Sequence, residues 1–179
     1  MHSVERPAAT GRTVRTNREM RRLADALIGP VRVPVPADPE ALFRAVVDSA
    51  VQWRGRPIVV HREIFPPHTA SGLWLERETH DDVIVDKRAA VWHQIVIFCH
   101  EVWHMHQLRE STAGRRAAAR SDFTLADEQE ADRFGMLMGR RLRTWLDASS
   151  DSVYATGEGA DQDIAGRIGA ALNYRGTRR

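Results

Sequence analysis

The feature that most constrains the fold is an apolar stripe in the middle of the chain. Apolar residues recur there at helical spacing, which predicts a helix with one buried face over about residues 89–108. The stripe consists of Val91, Ile95, Phe98, Val102 and Met105. His100, Glu101 and His104 belong to the same helix, and the apolar residues directly before them argue against a helix that is solvated on all sides.

The five residues from His100 to His104 read His-Glu-x-x-His, a spacing that suits a metal ion. Residues i and i+4 of a helix lie on one face about 6 Å apart, so two imidazoles can reach one zinc ion at about 2.1 Å each. Glu101 lies about 100° further round the helix, where its carboxylate can reach a water beside the ion. Zinc acidifies such a water, and a nearby carboxylate can accept the proton. Glu101 is therefore the candidate general base.

A catalytic zinc ion needs a third protein ligand and one open position. No histidine follows His106, so the third ligand is a carboxylate or a histidine from further upstream. A helix predicted over about residues 123–148 contains Glu128 and Asp132, which are four residues apart and share a face. Three small residues border that face: Ala131, Gly135 and Gly139. Small side chains let a second helix approach closely, as a metal shared between two helices requires.

We therefore predict Glu128 as the third zinc ligand. Asp132 is the candidate partner that accepts the free ring N–H of a ligand histidine, His100 by preference. Glu130 points elsewhere on the helix and is the weaker choice. Acidic residues also occur simply as favourable charges at a helix N-terminus, but that reading does not explain the small residues. A closed structural zinc site is disfavoured because it wants four protein ligands and only three are apparent.

The two motifs together resemble a known family pattern. H-E-V-W-H followed later by E-Q-E-A-D-R-F-G is similar to the gluzincin pattern H-E-x-x-H…E-x-x-[AS]-[DN]-x-F-[AG]. Within that group, the size, the three predicted strands before the motif and the lack of membrane spans resemble the ImmA/IrrE metallopeptidases. The resemblance covers about residues 40–147. It implies zinc bound by His100, His104 and Glu128, with Glu101 as the base.

The same resemblance implies a fold, an activity and a class of substrate. The implied fold is α+β: a minigluzincin, or zincin-like, domain with a small three-stranded sheet, the His-Glu-x-x-His helix and a following glutamate-bearing helix. Members of the family cleave helix-turn-helix repressors that are often encoded beside them, and some act as toxin components. We therefore expect a zinc endopeptidase whose substrate is a helix-turn-helix transcriptional regulator or an antitoxin partner. The chain departs from the family in lacking a proline after Gly135.

Helix-breaking residues and the periodicity of the apolar residues divide the chain into three parts. We predict a basic tail, a short helix over 17–28 and a linker in residues 1–37, with the first 16 residues disordered. A metallopeptidase domain follows over 38–148, and its first helix has Asp38 as N-cap and Pro39 at the first helical position. Three strands are expected within the domain, at 57–61, 72–75 and 82–85. The last part, 149–179, is expected to be a flexible tail with one possible short helix.

Cysteine usage and hydropathy bear on the compartment. The single cysteine, Cys99, excludes an internal disulfide and is expected to be a buried, inert thiol. The start of the chain is polar and rich in arginine, so no signal peptide is expected. No apolar run approaches the roughly 20 residues that span a bilayer. We therefore predict a cytoplasmic protein with no membrane partner.

Charge offers one alternative class of function. The net charge is only +2, but arginines crowd both ends of the chain. Such basic tails can contact phosphate, although they are more often solvated ends, so nucleic-acid binding is possible only through them. The alternative function is a non-proteolytic regulator or toxin-type protein that uses the fold to bind a partner protein or nucleic acid.

Several other residues have a predicted role or location. Five residues are candidates to assist as a transition-state donor, with no basis for a choice, and residues of this kind are more often structural: His61, His68, His80, Tyr154 and Tyr174. His106 is expected at the surface, on the opposite side of its helix, whereas Trp103 is expected in the core. The strand over 72–75 is a candidate edge that pairs with an extended peptide substrate.

Overall fold

The computed structural model describes residues 8–67, 69–111 and 123–146. In those ranges the chain is α+β, with four helices and one three-stranded mixed sheet. The helices are α1 (Ala8–Ile28), α2 (Pro39–Arg54), α3 (Val91–Ser111) and α4 (Leu125–Leu146). The strands are β1 (Ile58–Glu63), β2 (Gly72–Glu76) and β3 (Asp81–Asp86). None of the helices in these ranges is long and apolar enough to cross a membrane.

The three strands form a sheet with the order β1-β3-β2, so β3 lies in the centre. β1 runs parallel to β3, whereas β2 runs antiparallel to β3 and forms one edge. Val83 and Val85 of β3 are fully buried and face the core between the sheet and the helices. The register pairs Gly72 with Val85, so Gly72 lies on this same inner face. The predicted strands are confirmed with small differences at their ends.

The first helix is longer than the sequence predicted. Residues 8–16 were expected to be disordered, but α1 begins at Ala8. Alanine and arginine are strong helix formers, and one interior Gly11 costs only about 1 kcal/mol, so it does not stop the helix. The C-terminal half of α1 contributes four buried side chains to the core shared with the other helices: Met20, Leu23, Ala24 and Leu27. This part of the predicted tail-and-linker segment therefore packs with the rest of the fold.

The second helix begins and ends at residues suited to those positions. The Asp38 carboxylate accepts a hydrogen bond from the backbone N–H of Ala41 at 2.9 Å, and Pro39 follows it, as predicted. The helix stops at Gly55, whose φ of 74° is left-handed and whose N–H donates to the Val51 carbonyl. The chain then turns directly into β1.

Close contact between α3 and α4 depends on small side chains. A Cβ atom at Gly135 would lie 3.0 Å from the carbonyl oxygen of Val96, and one at Gly139 would lie 3.0 Å from Val96 Cγ2. Ala131, one turn earlier, is fully buried. The predicted small-residue face of the last helix is therefore confirmed as the surface on which α3 packs. This contact holds the acidic first half of α4 beside the histidines of α3.

Candidate metal centre

Two histidines of α3 and one glutamate of α4 converge at a single point. The Nε2 atoms of His100 and His104 are 3.1 Å apart. Glu128 Oε2 lies 3.5 Å from His100 Nε2, and Glu128 Oε1 lies 3.8 Å from His104 Nε2. One ligand atom from each residue lies within 4.8 Å of the other two. Both histidines are buried, and the carboxylate is half-buried.

The donor set and its spacing fit a metal ion. Two nitrogens that are each about 2.1 Å from a tetrahedral ion lie about 3.4 Å apart, close to the separation of the two Nε2 atoms. Imidazole nitrogen and carboxylate oxygen are both ligands of divalent transition metals. Three protein ligands leave a fourth position for water or substrate. This buried His-His-Glu group of the described residues could therefore hold a metal ion.

The electrostatic field at the site favours a cation. Burial by itself would lower the pKa of His100, but the carboxylates of Asp132 and Glu128 outweigh it and raise that pKa to about 10. In the opposite direction, the imidazoles of His100 and His104 hold the pKa of the Glu128 carboxyl well below its usual range. Because the surroundings stabilise a proton on His100, they also stabilise the positive charge of a metal ion.

Asp132 lies behind the first histidine. Its Oδ1 atom is 2.9 Å from His100 Nδ1, the ring nitrogen that faces away from the convergence point. A carboxylate in this position fixes the ring orientation and keeps Nε2 available as a ligand. Glu130 is one of the acceptors for the Gln107 side-chain amide, at 3.2 Å, and does not belong to the His-His-Glu group. The predicted choice of Glu128 over Glu130 agrees with this geometry.

The side chain of Glu101 lies against the edge strand. A Cβ atom at Gly72 of β2 would be 2.7 Å from Glu101 Oε1 and 2.5 Å from Ile97 Cγ2. Any side chain at this position would therefore displace the carboxylate, the isoleucine or the strand. The sequence contained the signal, since a glycine in a strand often marks a close approach, but it did not show what approached. The absence of a side chain at Gly72 leaves room for the candidate base.

Two of the proposed transition-state donors lie elsewhere. His61 Nε2 is 2.9 Å and His80 Nε2 is 3.3 Å from Asp82 Oδ1. Asp82 pairs in register with Val59, on the sheet face opposite to Gly72, because side chains alternate along a strand. The hydrogen bonds from Arg77 and His61 lower the pKa of Asp82 to about 2. Three further candidates, His68, Tyr154 and Tyr174, are outside the described residues.

Two residues around α3 differ from what the sequence led us to expect. The prediction of a surface His106 is wrong: this residue is half-buried, with its ring 5.0 Å from the Trp103 ring and 6.3 Å from the Trp53 ring. The reason is that the end of α2 covers this side of α3 with Trp53. Phe123 was not singled out by the sequence, yet its ring centroid lies 3.9 Å from that of His104. Its aromatic ring covers one face of a candidate ligand.

The predicted burial of two side chains, one just before the motif and one within it, is confirmed. Cys99 is fully buried, and burial raises the pKa of its thiol. Trp103 is in the core, where its ring stacks on that of Phe134 at 5.2 Å. The side chains on this side of α3 therefore anchor the helix, while His100, Glu101 and His104 face the site.

Comparison with known proteins identifies no relative of the chain. No family model matches it, and no curated protein or solved structure in the comparisons matches it either. The facts established about the molecule are thus its α+β architecture and a buried His-His-Glu group that could bind a metal ion.

Proposed function

We propose that the chain is a zinc-dependent endopeptidase of the ImmA/IrrE type. The observation that supports this proposal best is the meeting of three candidate ligands from two helices, with a glutamate directly after the first histidine and a glycine of an edge strand against it. Zinc is the proposed ion because two histidines, one glutamate and an open fourth position make up a common catalytic zinc site. The likeness of the two motifs to gluzincins supports the same choice.

Each residue of the site has a distinct task in this proposal. His100, His104 and Glu128 would hold the ion, and Asp132 would orient the ring of His100. Bound zinc supplies a Lewis acid that polarises the scissile carbonyl and acidifies the attacking water. Glu101 accepts the proton from that water and then delivers it to the nitrogen of the leaving amine. Glu101 is only 8% exposed, so the residue is largely shielded from bulk water.

The substrate would bind beside β2. This strand forms an edge of the described sheet, and an extended peptide can add to such an edge through main-chain hydrogen bonds. Gly72 brings the edge to within contact of Glu101, so a peptide aligned on β2 would pass the base and the ion. The edge strand therefore supports an extended protein segment, rather than a compact small molecule, as substrate.

The identity of the substrate follows from the resemblance alone. A helix-turn-helix regulator or an antitoxin, encoded beside the peptidase, is the proposed target. The test is to co-express the product of the neighbouring gene with the wild-type chain and with Glu101→Gln, and to follow that product by gel and mass spectrometry. We expect discrete fragments with the wild type and an intact product with Glu101→Gln. Identical fragments with both would overturn the assignment of Glu101.

Metal analysis of purified variants tests the ligand set without a substrate. We expect about one zinc per wild-type chain and per Glu101→Gln chain, since a single site is proposed. Glu128→Gln should lose most of the zinc, because removal of a ligand weakens the site strongly. Glu130→Gln is the matched control on the same helix and should keep it. A wild-type protein that neither contains nor takes up a divalent metal would contradict the proposal.

The alternative function is a regulator that binds its partner without cleaving it. The same variant distinguishes the two functions, since Glu101→Gln removes the base but leaves the three ligands in place. A biological effect that survives this substitution favours binding, whereas an effect that is lost while zinc is retained favours catalysis.

A further inference from the structure

A groove lies on the far side of α3 from the candidate metal centre. It has a volume of about 770 Å³, and residues of α1 form one wall. Trp53 at the end of α2 and His106 of α3 form the other. His106 is only two residues from His104, but two residues are about 200° around a helix, so their side chains face opposite directions. The groove and the metal centre are therefore separate sites.

The α1 wall is basic. Arg15, Arg18 and Arg22 line the groove from positions i, i+3 and i+7 of the helix, which form one stripe about 10 Å long. All three are exposed. Of the residues that line the groove in the described part of the chain, Glu19 alone has a negative charge, and it is paired with Arg15 at 2.8 Å. The groove therefore presents a surplus of positive charge to a ligand.

The opposite wall presents rings. Trp53 and His106 are half-buried, with ring centroids 6.3 Å apart. Arg109 is exposed and does not line the groove, but its guanidinium carbon lies 5.9 Å from the Trp53 ring centroid. Arginine on one side and planar rings on the other is the combination that holds an unpaired nucleotide strand: guanidinium groups bind phosphates, and rings stack with bases.

We infer that this groove binds single-stranded nucleic acid, with the phosphate backbone along the arginine stripe of α1 and at least one base against Trp53. A carboxylate-rich peptide could pair with the arginines but offers no base-like plane to the rings. A duplex keeps its bases stacked on one another and could use only the arginines. The inference is independent of the proposed peptidase activity, because it uses none of the residues at the metal centre.

The test is fluorescence anisotropy with the full chain and a fluorescein-labelled oligothymidylate over a range of salt concentrations. We expect binding that weakens steeply with salt and is unchanged by a chelator. The double variant Arg18→Ala with Arg22→Ala should bind about tenfold more weakly, with the salt slope of log K reduced by about 1.4, because each phosphate contact on a single strand contributes about 0.7.

The matched control removes two exposed arginines that do not line the groove. Arg21→Ala combined with Arg140→Ala changes the net charge equally and should bind within about twofold of the wild type; circular dichroism verifies that both double variants are folded. No binding by the wild type, or equal losses in both double variants, would overturn the inference. Equal or tighter binding of a duplex of the same length would also overturn it, because a duplex cannot stack its bases on the rings. Equal or tighter binding of polyglutamate would overturn it too, because the groove would then be a site for an acidic protein.

Discussion

At the residue scale, the position that most constrains the candidate site is Gly72, which has no side chain. Gly72 allows the backbone of β2 to pass within contact of Glu101, and every other residue type would place a Cβ 2.7 Å from the carboxylate oxygen. A contact between residues far apart in sequence therefore decides which side chains can be accommodated at position 72. Asp132 also acts through a single contact with a residue distant in sequence, since its Oδ1 atom lies 2.9 Å from His100 Nδ1.

Gly72→Ala is expected to displace the Glu101 carboxylate, because a terminal carboxylate moves more easily than a strand. A shift of about 1 Å in a catalytic group costs about 10²-fold in rate, so cleavage of the co-expressed substrate should fall by roughly that factor. Zinc content should not change, since the three candidate ligands are on α3 and α4. Val59→Ala, on the opposite face of the sheet, is the control. Full activity in Gly72→Ala would show that the base does not occupy this position during the reaction.

At the element scale, the site depends on how closely α4 lies against α3. The two helices meet at glycines, and Val96 fills the space that side chains there would occupy. A helix interior ordinarily disfavours glycine by about 1 kcal/mol relative to alanine. Two glycines in the middle of α4 are therefore best explained by the close approach, which brings Glu128 to the histidines.

Gly135→Val should separate the two helices locally. The added side chain would meet the Val96 backbone, and overpacking of this kind costs about 1–3 kcal/mol of unfolding free energy. Zinc affinity should fall as well, because Glu128, the proposed third ligand, moves with the helix. Denaturant unfolding and metal titration measure the two effects. Ala126→Val, at an exposed position of the same helix, should show neither, and a Gly135→Val protein with wild-type zinc affinity would contradict this account.

At the scale of the whole molecule, a bound ion would cross-link two separate helices, α3 and α4. The three candidate ligands are on two helices, and residues 112–122 between those helices are outside the described ranges. An ion that binds only the folded chain stabilises it by mass action, by about 2.7 kcal/mol when the free metal is 100 times the Kd.

Removal of zinc should therefore lower the melting temperature. For a chain of this size, about 2.7 kcal/mol corresponds to a fall of roughly 5–10 °C, which differential scanning calorimetry with and without chelator would measure. Glu128→Gln should melt at the temperature of the metal-free wild type and should not respond to chelator. Glu130→Gln should respond as the wild type does. A wild-type melting temperature that is indifferent to zinc would argue against a metal that links α3 to α4.

The sequence by itself determined the helices of the site and the residues that face each other across it. Helical periodicity is local: the backbone fixes 3.6 residues per turn, so the spacing of His100 and His104 and the face shared by Glu128 and Asp132 could be read from chain order. The N-cap at Asp38 was predictable for the same reason.

Only the tertiary structure decided which elements meet. The sheet order that places β2 at an edge, the contact between Gly72 and Glu101, and the partial burial of His106 beside Trp53 all join residues distant in sequence. The extension of α1 back to Ala8 was missed because the N-terminal arginines and Gly11 suggest a tail when read alone. Such contacts depend on the packing of side chains from several elements at once, and no local pattern encodes that packing.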